Sequence, residues 1–355
     1  MKRNLLADIG RYATPFKLGR PVVQGSGVAG SFDELAVDCP FVFRHGDRFC
    51  MMYVGFDGIG YRTGLAESDD LVNWTFKGIM LDRALAGSPE NARWDSVGAA
   101  GSWIVLESDD LYDTPRLKKI DGRYWMVYHS YPEAGYEAGG AKMGLAWCED
   151  EELLDWRRLE APVMGFENGE TWERGGLYKS CVVASHGSYY MFYNAKESTD
   201  WPWTEQTGLA VSRDLRTWRR DSDNPLMRTA PGSFYSVYFS DPCVKYDGAA
   251  GHWVNFGFGF DGERAQGALA VSDDLRRWEI LDTPWLPVGR PGELDVTNAH
   301  KSSIVYWGGT LYHFYCACRP AEPGDAAVVG AEDGAGGEFR CIAVATSRDF
   351  GDGRA

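Results

Sequence analysis

Three aspartates open apolar segments beside a proline: Asp38-Cys39-Pro40, Asp113-Thr114-Pro115 and Asp241-Pro242-Cys243. Lys179 and the pair His300-Lys301 stand at the corresponding places in two further segments. Charged side chains are rarely buried unless paired or used. An apolar strand needs no Asp at its start, although Asp can cap a turn, so carboxylates in matching positions point to a converging site. Converging carboxylates have their pKa values driven apart, one staying ionised while another keeps a proton. That division suits cleavage of a glycosidic bond, which needs an acid at the leaving oxygen and a base or nucleophile at the anomeric carbon. Aromatic faces for a sugar ring are on hand in the connecting segments: Trp94, Trp103, Tyr131, Trp172, Trp201, Trp203 and Trp285. Trp201-Pro202-Trp203 stands out, in a polar loop with Lys196, Glu197, Asp200 and Glu205.

The elements that must position these residues come from a repeat. Gly64-Leu65-Ala66-Glu67-Ser68, with Asp70 and Leu71, leads to Trp74. Gly208 to Ser212 with Asp214 and Leu215 leads to Trp218, and Ala268 to Ser272 with Asp274 and Leu275 leads to Trp278. Gly144 to Cys148 leads to Trp156, and Ala343 to Ser347 with Asp349 begins another copy. The Ser column falls at 68, 148 (Cys), 212, 272 and 347, steps of 60 to 80 residues. Each copy reads as a short strand, a Ser-x-Asp turn whose side chains hold nearby N–H groups, and a strand opening at a packing Trp. Before each copy comes an apolar strand, a turn and an aromatic strand, as in Tyr178 to Val183 followed by Tyr189-Tyr190-Met191-Phe192-Tyr193. Asp121-Gly122, His186-Gly187, Asp247-Gly248 and Gly308-Gly309 are hairpin signals between them. The pattern predicts an all-β chain: one domain over 1–355, a five-bladed β-propeller of four-stranded antiparallel blades. The blades fall at roughly 30–80, 108–160, 175–222, 237–283 and 298–350. The first strand of each would line the central channel. The loops are 79–107, 131–141, 160–177, 198–206 and 320–340, the last a mobile one, and the N-terminal segment would supply the last outer strand.

Composition narrows the partners. The net charge of −15 excludes nucleic acid and anionic membrane surfaces as favoured partners. No apolar run is long enough for a membrane span, and Met1-Lys2-Arg3 is not followed by a signal-peptide core or cleavage site, which makes the cytoplasm the expected location. The eight Cys lie singly in apolar runs and read as buried free thiols in a reducing compartment. Cys316 and Cys318 flank one residue, which on a strand puts both on one face. His129, His252 and His313 read as packing residues, and no ligand spacing indicates a metal. Phosphate-loop, dinucleotide, HExxH and GxSxG signatures are absent.

The Asp-Pro strand openings, the aromatic second strands and the Gly-Leu-Ala-x-Ser-x-Asp-Leu hairpins resemble the five-bladed propeller glycosidases of families 43, 32, 68, 117 and 130, over about residues 30–350. The resemblance implies a first-blade Asp as base or nucleophile, matched by Asp38. It implies a second Asp that tunes pKa, matched by Asp113 or Asp241. It also implies a Glu as general acid. Here the sequence departs from the pattern: Lys179 opens the third blade, Glu173 lies several residues early, Glu197 is the reserve, and His300 could serve as in relatives that use His. The expected substrate is a short oligosaccharide attacked from its end. No cofactor is called for, beyond the structural Ca²⁺ that the resemblance allows in the channel. Lys179, His300, Lys301 and Arg319 could instead hold an anion, a sugar carboxylate or the phosphate of a family-130-type phosphorylase, and a non-catalytic sugar-binding propeller is the third reading.

Overall fold

A computed structural model describes residues 5–85, 87–328 and 337–351. The Met1-Lys2-Arg3 segment and residues 329–336 of the long acidic loop lie outside the described residues. The chain is all-β apart from short 3₁₀ turns, and its strands follow one another as antiparallel meanders. Two short N-terminal strands, β1 (Phe16–Lys17) and β2 (Val23–Gln24), precede the first full unit. That unit is β3 (Ala36–His45), β4 (Arg48–Phe56), β5 (Tyr61–Ser68) and β6 (Thr75–Leu81), paired in that order. The next is β7 (Ala100–Ile104), β8 (Tyr124–Ser130), β9 (Lys142–Cys148) and β10 (Arg157–Arg158). It is followed by β11 (Gly176–Ser185), β12 (Ser188–Lys196), β13 (Glu205–Ser212) and β14 (Arg219–Arg220). Then come β15 (Tyr238–Ser240) and β16 (Val244–Asp247), two halves of one edge against β17 (His252–Phe260), with β18 (Ala265–Ser272) and β19 (Glu279–Ile280) beyond. The last are β20 (Asn298–Trp307), β21 (Thr310–Pro320) and β22 (Glu338–Thr346). β1 and β2 pair antiparallel with β22, so the N-terminal segment completes the last unit, as expected.

The turns work as the sequence indicates. Ser68 Oγ accepts the Leu71 N–H at 2.9 Å, and Asp70 Oδ1 accepts those of Val72 and Asn73 at 2.9 and 2.8 Å. Asp214 and Asp274 repeat the pattern. These bonds hold a buried leucine in the left-handed region, with φ of 66° at Leu71, 63° at Leu215 and 64° at Leu275. That conformation costs a non-glycine residue about 1–2 kcal/mol. The following tryptophan secures it: Trp218 and Trp156 donate their indole N–H to the carbonyls of Leu215 and Leu153 at 2.7 Å, Trp278 to Leu275 at 3.2 Å. Aromatic side chains fill the space between neighbouring sheets, for example Phe41 against Trp103 with ring centroids 4.6 Å apart. Each such ring removed from water contributes roughly 1.5–3 kcal/mol.

One strand is not where the sequence puts it. The first strand of the second unit is Ala100–Ile104, inside the segment read as a loop, and not the stretch that begins at Asp113. Asp113 is exposed and accepts a hydrogen bond from Ser108 Oγ at 2.6 Å, the ordinary turn use of an Asp before Pro. The true strand is disguised by small residues. A Cβ on Gly101 would sit 2.7 Å from Met52 Sδ and 2.9 Å from Thr63 Cγ2, so close approach to the first unit excludes the β-branched residues that usually mark a strand.

Candidate active site

The first strands share an irregularity that builds the site. Register slips between Asp38 and Phe41, Gly101 and Trp103, Tyr178 and Ser180, and His300 and Ser303, and the edge of the fourth unit breaks at Asp241. A β-bulge re-aims a side chain out of the ladder. At Cys39, Lys179, Asp241 and Lys301 the backbone is turned to φ of 50°, 20°, 48° and 60°. Left-handed backbone at non-glycine residues is strain, and strain gathers at functional sites. All four line one pocket, together with Asp38, Tyr178 and His300. The bulge also shifts the expected alignment by one residue: Lys179, Asp241 and Lys301 match Cys39, and Asp38 matches Tyr178 and His300.

Asp38 is an anion clamped between two cations. Its Oδ2 accepts from Lys301 Nζ at 2.6 Å and Arg340 Nη1 at 2.8 Å, and its Oδ1 from the Cys39 N–H at 2.8 Å. Burial by itself would push this carboxyl up; Lys301, then Arg340, override it and hold it well below the usual carboxylate range. Arg340 reaches in from β22 and also pairs with Glu338.

Across the pocket the balance reverses. Glu205, the first residue of β13, is buried, and Glu137 adds like-charge repulsion, so its carboxyl is pushed up to about 7. Its Oε1 accepts from the Trp203 indole at 3.1 Å, and its Oε2 bonds Ser240 Oγ at 2.9 Å. Lys196 faces Glu205 across the β12–β13 ladder, but its ammonium sits over the Trp203 ring, 4.2 Å from the centroid. Ser240 Oγ also lies 3.3 Å from Asp241 Oδ1. Asp241 Oδ1 is held by the Asn194 amide, and among the described residues its buried Oδ2 has no hydrogen-bond partner. Burial raises Asp241 as well, against the pull of Lys301 and Lys179.

The pocket's other donors are neutral or lightly held. His129 Nδ1 faces Ser102 Oγ at 3.1 Å and accepts the Lys179 N–H at 3.3 Å, so the ring proton belongs on Nε2. Burial, with Lys179 beside it, drops His129 to about 3. The Lys179 ammonium is buried and has only the Ser102 carbonyl at 3.4 Å; no carboxylate among the described residues pairs with it. Tyr61, Tyr136, Tyr178 and Tyr238 form the aromatic walls, and Phe258 sits edge-on to His300 at 5.1 Å.

Of the expected residues, Asp38, Asp241, Lys179, His300 and Lys301 come together in this pocket. Trp203 touches it through Glu205, and Trp201, 42% exposed, stands against Trp203 and Tyr238 at centroid distances of 5.1 and 6.3 Å. Glu173 lies elsewhere, buried against Arg220 at 2.9 Å and Tyr193 at 2.5 Å, with Trp172 stacked on the same tyrosine. Both serve packing because the 3₁₀ turn that carries them seals the third unit. Arg319 pairs with Asp325 at 2.7 Å and covers Phe339, away from the pocket. Glu197 ties its own loop through Thr204. Asp113 is on the surface. Glu137, His129, Asn298 and Arg340 were not singled out as site residues, and Glu205 stood out only as a polar neighbour of Trp201-Pro202-Trp203.

Residues 107–288 match the glycosyl hydrolases family 32 N-terminal domain. A solved structure of BT0996, described as a complex with RGII, is 30% identical over 98% of this chain and 95% of its own, with a TM-score of 0.76. Another, described as "Glycoside hydrolase", is 28% identical over 99% and 96%, also at 0.76. A thermostable family-43 glycoside hydrolase shares the fold at 16% identity, covering 90% and 91% with a TM-score of 0.61. No curated protein matches the chain.

Proposed function

The chain belongs to the family of the glycosyl hydrolases family 32 N-terminal domain and cleaves glycosidic bonds; within that activity we propose that Glu205 is the general acid and Asp38 the fixed anion at the anomeric carbon. The observation that carries this reading is the split between two buried carboxylates of one pocket, Asp38 held far below its ordinary range and Glu205 pushed up to about 7. Protonated Glu205 gives its proton to the leaving oxygen as the glycosidic C–O bond breaks. Positive charge then develops at the anomeric carbon, where Asp38 stabilises it. A carboxylate gripped by Lys301 and Arg340 is a weak proton acceptor, so Asp38 acts through its charge, as nucleophile or as electrostatic partner. Asp241, linked to Glu205 through Ser240, shares in holding that proton. Coupled groups of this kind titrate as a pair.

The substrate we infer is an uncharged glycoside entered from its end. Asp38, Asp241, Glu137 and Glu205 face Lys179, Lys301 and Arg340, and with one acid protonated the charges balance. Tyrosine walls around a closed pocket favour a terminal sugar, with Trp201 at the rim for the next residue. We read the successive units as five propeller blades closed by β1 and β2, and the eight unpaired thiols as the mark of a reducing compartment. One observation favours a second reading: the unpaired Lys179 ammonium could hold phosphate, making the enzyme a phosphorylase.

A panel of aryl glycosides, with and without phosphate, tests both. Turnover without phosphate that disappears in Asp38→Asn supports the hydrolase. Turnover only with phosphate supports phosphorolysis, and an Asp38→Asn variant of near-full activity removes the assignment of Asp38.

A further inference from the structure

The pocket wall made by β20 and β21 carries a second cluster. Residues opposite one another on antiparallel strands share a face, and the pairs His300–Cys316 and Asn298–Cys318 place His300, Cys316 and Cys318 together. Their ligand atoms all lie within 4.8 Å of one another. The two sulfurs are 3.9 Å apart. Zinc–sulfur bonds of about 2.3 Å at a tetrahedral angle separate two sulfurs by about 3.8 Å, so the thiols already stand at coordination spacing. His300 Nδ1 lies 3.2 Å from the Cys316 carbonyl oxygen. Metal-bound histidines orient themselves by donating the other ring N–H to such an acceptor, which leaves Nε2 for the ion. Among the described residues neither sulfur has a hydrogen-bond partner besides the other, whereas the Cys341 and Cys181 thiols donate to the carbonyls of Ala317 and Val244. All three residues are buried, yet His300 lines the pocket, which supplies an entry path.

We propose that His300, Cys316 and Cys318 form a binding site for a thiophilic divalent cation, Zn²⁺ in the first instance. Each cysteine gives its proton to solvent and its sulfur electron pair to the metal, and His300 binds as neutral imidazole. The two thiolates cancel the charge of the ion. This decides the choice of metal, because Lys301 adjoins His300 and Arg340 pairs with Cys318 across the β21–β22 ladder. A cation held by neutral oxygens, such as Ca²⁺, would bring two uncompensated positive charges to the same wall. Soft sulfur ligands select zinc over calcium for the same reason. Three protein ligands leave a fourth position for water or a sugar hydroxyl, and the ion would pin His300 at the pocket wall.

The test is a Co²⁺ titration of the purified full chain followed by absorption, with Zn²⁺ in competition, so that the readout is spectroscopic and independent of turnover. The expected result is one Co²⁺ per chain, a thiolate-to-cobalt charge-transfer band with the visible bands of a tetrahedral ion, and loss of both on adding Zn²⁺. Cys316→Ser and Cys318→Ser should each lose the charge-transfer intensity. Each should weaken Zn²⁺ by more than the roughly 10–100-fold that loss of an outer-sphere partner costs. Cys341→Ser, a buried thiol on β22, should titrate like the wild type and shows what a Cys-to-Ser change does by itself. No charge-transfer band in the folded wild type overturns the proposal, and so does Zn²⁺ affinity unchanged in the Cys316→Ser, Cys318→Ser double variant.

Discussion

Two sides of one pocket bury carboxylates equally and treat them oppositely. On the side of the first and last units, Asp38 meets Lys301 at 2.6 Å and Arg340 at 2.8 Å and remains an anion. On the side of the third and fourth units, Glu205 and Asp241 meet an indole, a serine, an amide and another carboxylate. Desolvation is common to both sides, so burial alone does not make an acid. What separates them is whether a cation stands within contact distance. A glycosidase needs one carboxyl of each kind, and here each is produced by side chains from a different sheet.

The comparison breaks most completely at its two poles. Removing the charge in Asp38→Asn, or the proton donor in Glu205→Gln, should lower kcat on an unactivated glycoside by about 10²–10⁴. The two should separate on leaving groups. Glu205→Gln recovers with a nitrophenyl leaving group that needs no protonation, and Asp38→Asn does not. Equal losses on both substrates would remove Glu205 from the acid role.

Next in size is the clamp. Arg340→Met leaves Glu338 and half of Asp38 unpaired in the interior, and breaking a buried ion pair of this kind costs about 3–5 kcal/mol. Thermal or urea unfolding measures it. The loss should shrink toward acid pH, where the orphaned carboxylates take up protons.

The pH dependence sharpens the other pole. Glu205 is raised to about 7 from an ordinary value near 4.3. A carboxyl raised by folding binds its proton more tightly in the native state. Its contribution to stability is therefore complete below the unfolded value and is lost as pH rises through about 7. The basic limb of kcat/KM should fall in the same range, and Glu205→Gln should abolish both. A limb that persists in Glu205→Gln reassigns it, with Asp241 the first alternative.

The smallest effects lie outside the pocket. Ser272→Ala removes the Oγ that accepts the Asp274 N–H at 3.2 Å and should cost about 1 kcal/mol of stability with kcat/KM unchanged. Asp113→Ala should change neither by a measurable amount, since its carboxylate faces solvent. Lost activity there would mean that the segment reaches the substrate.

What the sequence determined by itself was what local chemistry can encode. The Ser-x-Asp turns, the left-handed leucines and the indole bonds lie within a few residues of each other, so the meanders and their order follow from spacing alone. Five of the charged openings were legible for the same reason, because a charge at the head of an apolar strand is out of place wherever the strand ends up. The tertiary structure decided the rest. The glycine-rich start of β7 could be recognised as a strand only once Met52 and Thr63 stood against it. The conspicuous Asp113 was a turn residue, and Glu173, conspicuous beside Trp172, became the partner of Arg220. Arg340 and Glu205 enter the pocket from the third strands of their units, far in sequence from the strand openings they face. Bulges then rotate Lys179, Asp241 and Lys301 toward the same space. Which carboxyl is the acid depends on which cations are within a few ångströms, and that distance is a property of the packed sheets and not of any one segment.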